Sequence, residues 1–221
     1  MSTTSTPVTA EHFAYIAART RQEDAFLKEL KAAAERERIP AIWIAPEQAS
    51  FMQILLRMVR AREVVEVGTL AGYSAICMAR ALPPGGRVRT IEICGEYARF
   101  ARQWADRSDV GKRIEILQGA GMEILPAFEN DSADAFFIDA DKDRYPAYFE
   151  EALRIVRAGG LIMADNALAS GEILDASGGD PEVVALRRFN DVVAADPKVH
   201  GVIVPLGDGL WVGIKETASS R

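Results

Sequence analysis

Four side chains in two short segments have the types and spacing to do chemistry together: Asp139, Lys142, Asp165 and Asn166. The first segment is Phe136-Phe137-Ile138-Asp139-Ala140-Asp141-Lys142 and the second is Leu161-Ile162-Met163-Ala164-Asp165-Asn166. Each is an apolar run that stops abruptly at oxygen-bearing side chains. Such a run reads as a buried strand of a parallel sheet. In an open α/β sheet the ligand sits beyond the carboxyl ends of the strands. Two neighbouring strands would then aim three oxygen ligands and one ammonium into a single crevice. A hard divalent cation such as Mg²⁺ takes oxygen ligands of this kind and keeps positions for water and substrate. Asp and Asn also cap turns and helices at strand ends, so neither segment decides the matter alone.

A glycine loop earlier in the chain adds a second chemical feature. Val64-Val65-Glu66-Val67-Gly68-Thr69-Leu70-Ala71-Gly72-Tyr73-Ser74 reads as a strand, a tight turn and a helix. Gly68 allows a sharp turn and close approach of a ligand to the backbone. Gly72 opens the helix, whose free N–H groups attract negative charge. Glu66, Thr69 and Ser74 supply polar contacts. The spacing is neither the Gly-x-Gly-x-x-Gly of dinucleotide sites nor a P-loop. One strand-helix-strand unit later, Glu92 ends Arg87-Val88-Arg89-Thr90-Ile91-Glu92, where a carboxylate can accept both hydroxyls of a ribose. Gly119-Ala120-Gly121 follows a further strand and leaves room for a flat ring against the backbone.

Together these residues resemble the class I S-adenosylmethionine-dependent methyltransferases. More narrowly, they look like the cation-dependent O-methyltransferases, the group of the catechol and caffeoyl-CoA enzymes and their bacterial relatives. The resemblance runs from about Ala45 to Lys215. It rests on Glu-Val-Gly-x-x-x-Gly-Tyr-Ser, Ile-Asp-Ala-Asp-Lys-Asp-x-Tyr, Ala-Asp-Asn and Gly-Asp-Gly-Leu, in that order. It implies that Glu66, Gly68 and Ser74, with Thr69 and Gly72 in the same loop, hold the methionine end of the cofactor. Glu92 would hold the ribose, and Ala120 and Gly121 would lie at the adenine. Asp139, Asp165 and Asn166 would bind Mg²⁺, with Mn²⁺ or Ca²⁺ as substitutes, and Asp139 would also approach the cofactor's amino group. Ile44 would close over the methionine portion. Lys142 would be the general base, and Lys142, Asn166 and Trp211 would meet the substrate. At the position of Trp211 the vertebrate catechol enzymes carry a glutamate, so this chain departs from them there.

The chemistry can be argued without the family. Methyl transfer from a sulfonium is a direct displacement, and holding the nucleophile in line can supply roughly 7–11 kcal/mol of the barrier. A divalent ion chelated by vicinal hydroxyls fixes both oxygens and acidifies them. Like charge disfavours an ammonium beside such an ion, and a neutral amine can accept a phenolic proton. The plainer role for Lys142 is as a loop lysine or a partner of Asp141.

The elements that must position these groups read as an alternating series. Two helices fill about 9–38, and a third covers 47–60 with Phe51, Ile54, Leu55 and Met58 as its core face. Strands follow at 64–67, 87–92, 113–117, 135–138 and 160–164, with helices at 73–82, 96–107, 146–157 and 181–195. Alternation of this kind gives a parallel sheet covered on both faces. Residues 199–206 and 210–215 form a closing hairpin around Gly207-Asp208-Gly209. The expected fold is an α/β, Rossmann-like methyltransferase, and the resemblance implies seven strands with the last antiparallel. A flexible tail is expected at 1–8 and a single domain over 9–217. A glycine-rich loop over 169–180 is placed to cover the site. His12 and His200 read as structural.

Composition sets the outer limits. The chain has 221 residues, 49% hydrophobic and 26% charged, with a net charge of −6. An acidic chain without an aromatic-interleaved basic stretch is poorly suited to gripping nucleic acid. Some bacterial relatives act on tRNA, so a tRNA-modifying O-methyltransferase is the alternative. A cofactor-binding regulator and a nicotinamide dehydrogenase fit the intact acidic trio and the glycine spacing less well. Two cysteines, Cys77 and Cys94, show no metal-binding spacing and suit a reducing cytoplasm. No apolar run reaches membrane-spanning length. The resemblance further implies a homodimer, with the N-terminal helices as its elements, and a small dihydroxy aromatic as methyl acceptor.

Overall fold

The computed structural model describes residues 6–175 and 179–217. Seven strands make one sheet: β1 Glu63–Val67, β2 Arg87–Glu92, β3 Ile114–Gln118, β4 Ala133–Ile138, β5 Val156–Ala164, β6 Val199–Val204 and β7 Leu210–Lys215. Their order is β3-β2-β1-β4-β5-β7-β6. All pairs among β1 to β5 are parallel, and β7 runs antiparallel between β5 and β6. The helices are α1 Ala10–Ala17, α2 Ala25–Arg36, α3 Pro46–Met58, α4 Tyr73–Ala81, α5 Gly95–Arg107, α6 Gly121–Ile124, α7 Tyr145–Ile155 and α8 Pro181–Ala195. Among the described residues no helix is long and apolar enough to cross a membrane.

The sheet is buried on both faces, which is why its central strands are continuously apolar. On β4, Phe137 points into a core shared with α2, α3 and α4, and Phe136 into one shared with α7 and α8. Both rings are fully buried. This sandwich fixes the directions in which the ends of β1, β4 and β5 project. Order reverses at β1, with β2 on one side and β4 on the other, and that switch opens the crevice.

Several elements differ from the expected bounds. β4 starts at Ala133, because Asp134 is a strand residue that accepts hydrogen bonds from the backbone N–H groups of Arg62 (2.7 Å) and Glu63 (2.9 Å). A polar Ser132-Ala133-Asp134 looks like loop until those partners are seen. α7 stops at Ile155 and β5 begins at Val156, with a register shift opposite Ala133–Ala135 and Gly159 at φ +73°. The N-terminal stretch breaks between Ala17 and Ala25, where Asp24 caps α2 by accepting from the Leu27 N–H. The face of α3 is also rotated from expectation. Gln48, Ala49, Met52 and Leu56 are buried, whereas Ile54 and Met58 are 54% and 74% exposed. A helix carrying apolar residues around most of its circumference does not reveal its inner face from spacing alone. The expected tail at 1–8 falls largely outside the described residues, as do 176–178 of the expected covering loop.

Candidate active site

A cleft of about 630 Å³ opens along the carboxyl ends of β1, β2, β3 and β4. Ile44, Gly68, Thr69, Ser74, Glu92, Ala120, Gly121, Asp139 and Lys142 all lie on its wall. A second cavity of about 390 Å³ is lined by Lys31, Trp43, Ile44, Gln48, Asp165, Asn166, Ser170 and Asp208. The expected catalytic group thus straddles the two cavities, Asp139 and Lys142 on the first and Asp165 and Asn166 on the second.

Gly68 is dictated by geometry. Its φ is +103°, and a Cβ there would stand 1.8 Å from the Asp139 carbonyl oxygen. β1 and β4 can therefore converge only at a glycine. Gly72, at φ +85°, starts α4 and sits against Ala101, off the cleft wall, so its part is the turn. Ser74 lies on the wall and donates to Glu66 Oε1 at 2.5 Å. Glu66 itself is fully buried beneath Ser74, and its Oε2 has no partner among the described residues. Burial pushes its carboxyl up to about 8, against the pull of the Ser74 hydroxyl. A buried, half-satisfied carboxylate of this kind suits a cationic ligand group.

Glu92 is pinned by two backbone donors, Leu70 N–H to Oε2 at 2.8 Å and Cys94 N–H to Oε1 at 2.9 Å. Glu92 also lines the cleft. The Thr69 hydroxyl stands 2.6 Å from that of Thr90. Gly121 has no room for a side chain, since a Cβ would meet the Tyr148 ring at 2.8 Å.

At the ends of β4 and β5 the Asp139 N–H donates to Val67 O and the Asp165 N–H to Ile138 O, which continues the ladder into the site. Lys142 Nζ donates to Asn166 Oδ1 (2.5 Å), Tyr145 Oη (2.7 Å) and Asp139 Oδ1 (3.2 Å). It does not pair with Asp141, whose carboxylate takes the Tyr148 hydroxyl at 2.6 Å and the Arg144 guanidinium at 3.1 Å. Burial first, then repulsion from Asp139, pushes the Asp165 carboxyl up to about 7. Enclosure likewise raises Asp139, partly offset by Lys142. Among the described residues no three His, Cys, Asp or Glu side chains gather into a metal cage. The candidate set is instead two carboxylates and an amide, all oxygen donors, whose mutual repulsion a divalent cation would relieve. Lys142 Nζ stands beside this set, within hydrogen-bond distance of Asp139 and Asn166. The residues present therefore fit a hard cation of the Mg²⁺ type.

Trp211 stands apart from the rest of the expected set. Trp211 lines neither cavity; it is 8% exposed and its indole N–H donates to Asn190 Oδ1 at 2.6 Å. Successive strand residues face opposite ways, and Leu210, not Trp211, is directed to the face that carries α3. Three residues without an assigned role belong to the site: Tyr145, Gln48 and Asp208. Tyr145 and Asp208 stood inside recognised motifs, but only their contacts show that they touch Lys142 and Asn166. Gln48 Nε2 donates to Asp165 Oδ1 at 2.6 Å across 117 residues of sequence, a pairing that no local pattern signals.

Comparison with known proteins identifies the family. A family model described as O-methyltransferase matches residues 17–216. A catechol O-methyltransferase of Niastella koreensis is 40% identical over 198 residues, covering 88% of this chain and 87% of that protein. One from Mycobacterium tuberculosis is 35% identical over 192 residues, covering 86% and 87%. The crystal structure of an O-methyltransferase from Bacillus cereus in complex with SAH superposes with a TM-score of 0.85 at 34% identity, covering 92% of this chain and 96% of that one. The chain therefore belongs to the O-methyltransferase family and is a methyl-transferring enzyme.

Proposed function

We propose that the enzyme transfers a methyl group from S-adenosylmethionine to one hydroxyl of a vicinal dihydroxy aromatic, with the help of a divalent cation held by Asp139, Asp165 and Asn166. The observation that carries this reading is the oxygen cluster at the seam of two cavities, with Lys142 Nζ at its centre. The larger cleft suits the cofactor, as the SAH complex of the Bacillus cereus relative suggests. Glu92 would accept the ribose hydroxyls, the backbone at Gly68 would pass close to the methionine portion, and Ala120 and Gly121 would flank the adenine. Ser74, backed by Glu66, and Asp139 would receive the amino group. Asp139, Asp165 and Asn166 would hold the cation, which would supply Lewis-acid activation of the acceptor hydroxyls.

The chain's own groups then do the rest. Trp43 and Ile44 wall the smaller cavity and keep the aromatic ring close to the seam. Lys142 accepts the phenolic proton at Nζ. Tyr145 Oη and Asn166 Oδ1 hold that nitrogen in place between the two cavities. In-line placement supplies most of the acceleration, since no covalent intermediate is needed. The catechol names of the Niastella koreensis and Mycobacterium tuberculosis relatives support the acceptor class. A homodimer in the cytoplasm is part of the proposal: Ile54 and Met58 of α3 are apolar and exposed, and both cysteines are free thiols. The test is methyl transfer to a panel of catechol, caffeate and caffeoyl-CoA beside their monohydroxy analogues. Turnover confined to the vicinal diols supports the reading, and equal turnover of the monohydroxy compounds overturns it.

A further inference from the structure

The Gly207-Asp208-Gly209 segment reads as a plain hairpin turn, yet it is pressed into the active site. A Cβ on Gly207, whose φ is +57°, would stand 2.2 Å from Gln48 Oε1. One on Gly209, at φ +80°, would stand 2.6 Å from Leu168 Cγ. Both glycines are thus required by close approach, the first to α3 and the second to the chain just after Asn166. The backbone is stitched there as well: the Leu168 N–H donates to Asp208 O and the Ala167 N–H to Gly209 O, each at 2.9 Å.

Asp208 uses both carboxylate oxygens. Oδ2 accepts from Asn166 Nδ2 at 3.0 Å and Oδ1 accepts from the Ser170 N–H at 2.6 Å. A primary amide presents either oxygen or nitrogen after a half-turn. The bond to Asp208 selects the orientation in which Asn166 Oδ1 faces Lys142. Gln48, 1% exposed, performs the matching task for the other residue of the pair by holding Asp165 Oδ1. The two supports meet at Gly207.

We infer that Asp208 and Gln48 are positioning residues which set the affinity of the Asp165–Asn166 pair for a divalent cation, Asp208 by fixing the amide orientation of Asn166 and Gln48 by anchoring Asp165. This rests on the metal reading proposed above. Groups that orient metal ligands typically change metal affinity 10- to 100-fold when removed. Asp208→Asn is the sharpest probe. It keeps size and one acceptor oxygen, but that oxygen must now serve two N–H donors. Asn166 is relieved by flipping, which aims its amide nitrogen at the cation position. Gln48→Ala removes the anchor on Asp165 without adding charge.

The experiment is Mn²⁺ titration, followed by electron paramagnetic resonance, of the full-length wild type, Asp208→Asn, Gln48→Ala and Asp165→Ala. SAH affinity and the thermal midpoint are measured on each. The expected result is Mn²⁺ binding weakened roughly 10- to 100-fold in Asp208→Asn and Gln48→Ala, with SAH affinity near wild type in both and the midpoint lowered only modestly by Gln48→Ala, which leaves buried Asp165 Oδ1 without its donor. If Asp165→Ala abolishes Mn²⁺ binding while the other two variants bind it as the wild type does, the positioning role is wrong and the metal reading stands. If the wild type binds no Mn²⁺, or Asp165→Ala binds it equally well, both fall together. A loss of SAH affinity and midpoint in parallel with Mn²⁺ affinity would assign the two residues to general packing and overturn the inference.

Discussion

Glu66 offers a way to weigh the energetics of the cofactor cleft before any substrate is found. It is fully buried, and its carboxyl is raised from 4.5 to about 8 because burial outweighs the Ser74 hydrogen bond. At about 1.4 kcal/mol per pH unit, ionising it in the folded chain costs up to about 5 kcal/mol more than in the unfolded one. The sign follows from proton counts. Between pH 4.5 and about 8 the unfolded chain has released this proton and the folded chain keeps it, so stability falls as pH rises. Glu66→Gln keeps an acceptor for Ser74 and removes the titration. In urea unfolding at pH 5, 6, 7, 8 and 9 without cofactor, wild-type stability minus that of the variant should decline steadily over this window. Relaxation and water entry reduce the full figure, so a drop of about 2–5 kcal/mol is expected. Asp139 and Asp165 are present in both proteins, so only the repulsion between Asp139 and Glu66, itself part of the Glu66 shift, survives in the difference. A flat difference would refute the placement of Glu66 as a buried, half-satisfied acid. The same group predicts that SAH affinity of Glu66→Gln falls most at high pH, where the wild-type carboxylate is charged.

Three further outcomes follow from individual contacts. Lys142→Met should lower kcat by about 10²- to 10⁴-fold with SAH affinity little changed, as measured by steady-state kinetics and calorimetry; the reverse pattern would remove its role as base. Gly68→Ala should destabilise by at least about 3 kcal/mol, because its Cβ would meet the Asp139 carbonyl at 1.8 Å; a wild-type urea midpoint would contradict that geometry. Trp211→Phe should cost about 1–3 kcal/mol by leaving Asn190 without its indole donor, while the KM for the acceptor stays unchanged; a raised KM with intact stability would restore Trp211 as a substrate contact.

The parts of this molecule that were legible in sequence share a physical cause. Strands buried on both faces produce uninterrupted apolar runs, and their ends are marked where Asp139, Asp165 and Glu92 appear. Gly68 was legible because close approach of two backbones excludes every other residue. The rest depends on contacts between distant segments. Which face of α3 is inward is set by its packing on α4, so Met52 and Gln48 are buried while Ile54 and Met58 face outward. The early start of β4 depends on N–H donors from Arg62 and Glu63. Trp211 reads as a substrate contact because it stands where the vertebrate catechol enzymes carry a glutamate, a packed hairpin aromatic being the plainer role; strand alternation turns it to the opposite face of the sheet. Asp208 and Gln48 were hidden for the same reason, since a turn aspartate and a helical glutamine are ordinary until their partners are known.

In the proposed reaction, oxygen ligands at the seam of two cavities use a cation to direct methyl transfer. The most direct measurement is the rate of transfer from S-adenosylmethionine to catechol, for wild type and Asp165→Ala, with Mg²⁺ and then with EDTA. Wild-type turnover should be lost in EDTA and restored by added Mg²⁺, and Asp165→Ala should show none under either condition although it still binds SAH. Catechol methylation that persists in EDTA, or an Asp165→Ala enzyme as active as the wild type, would contradict the proposed reaction.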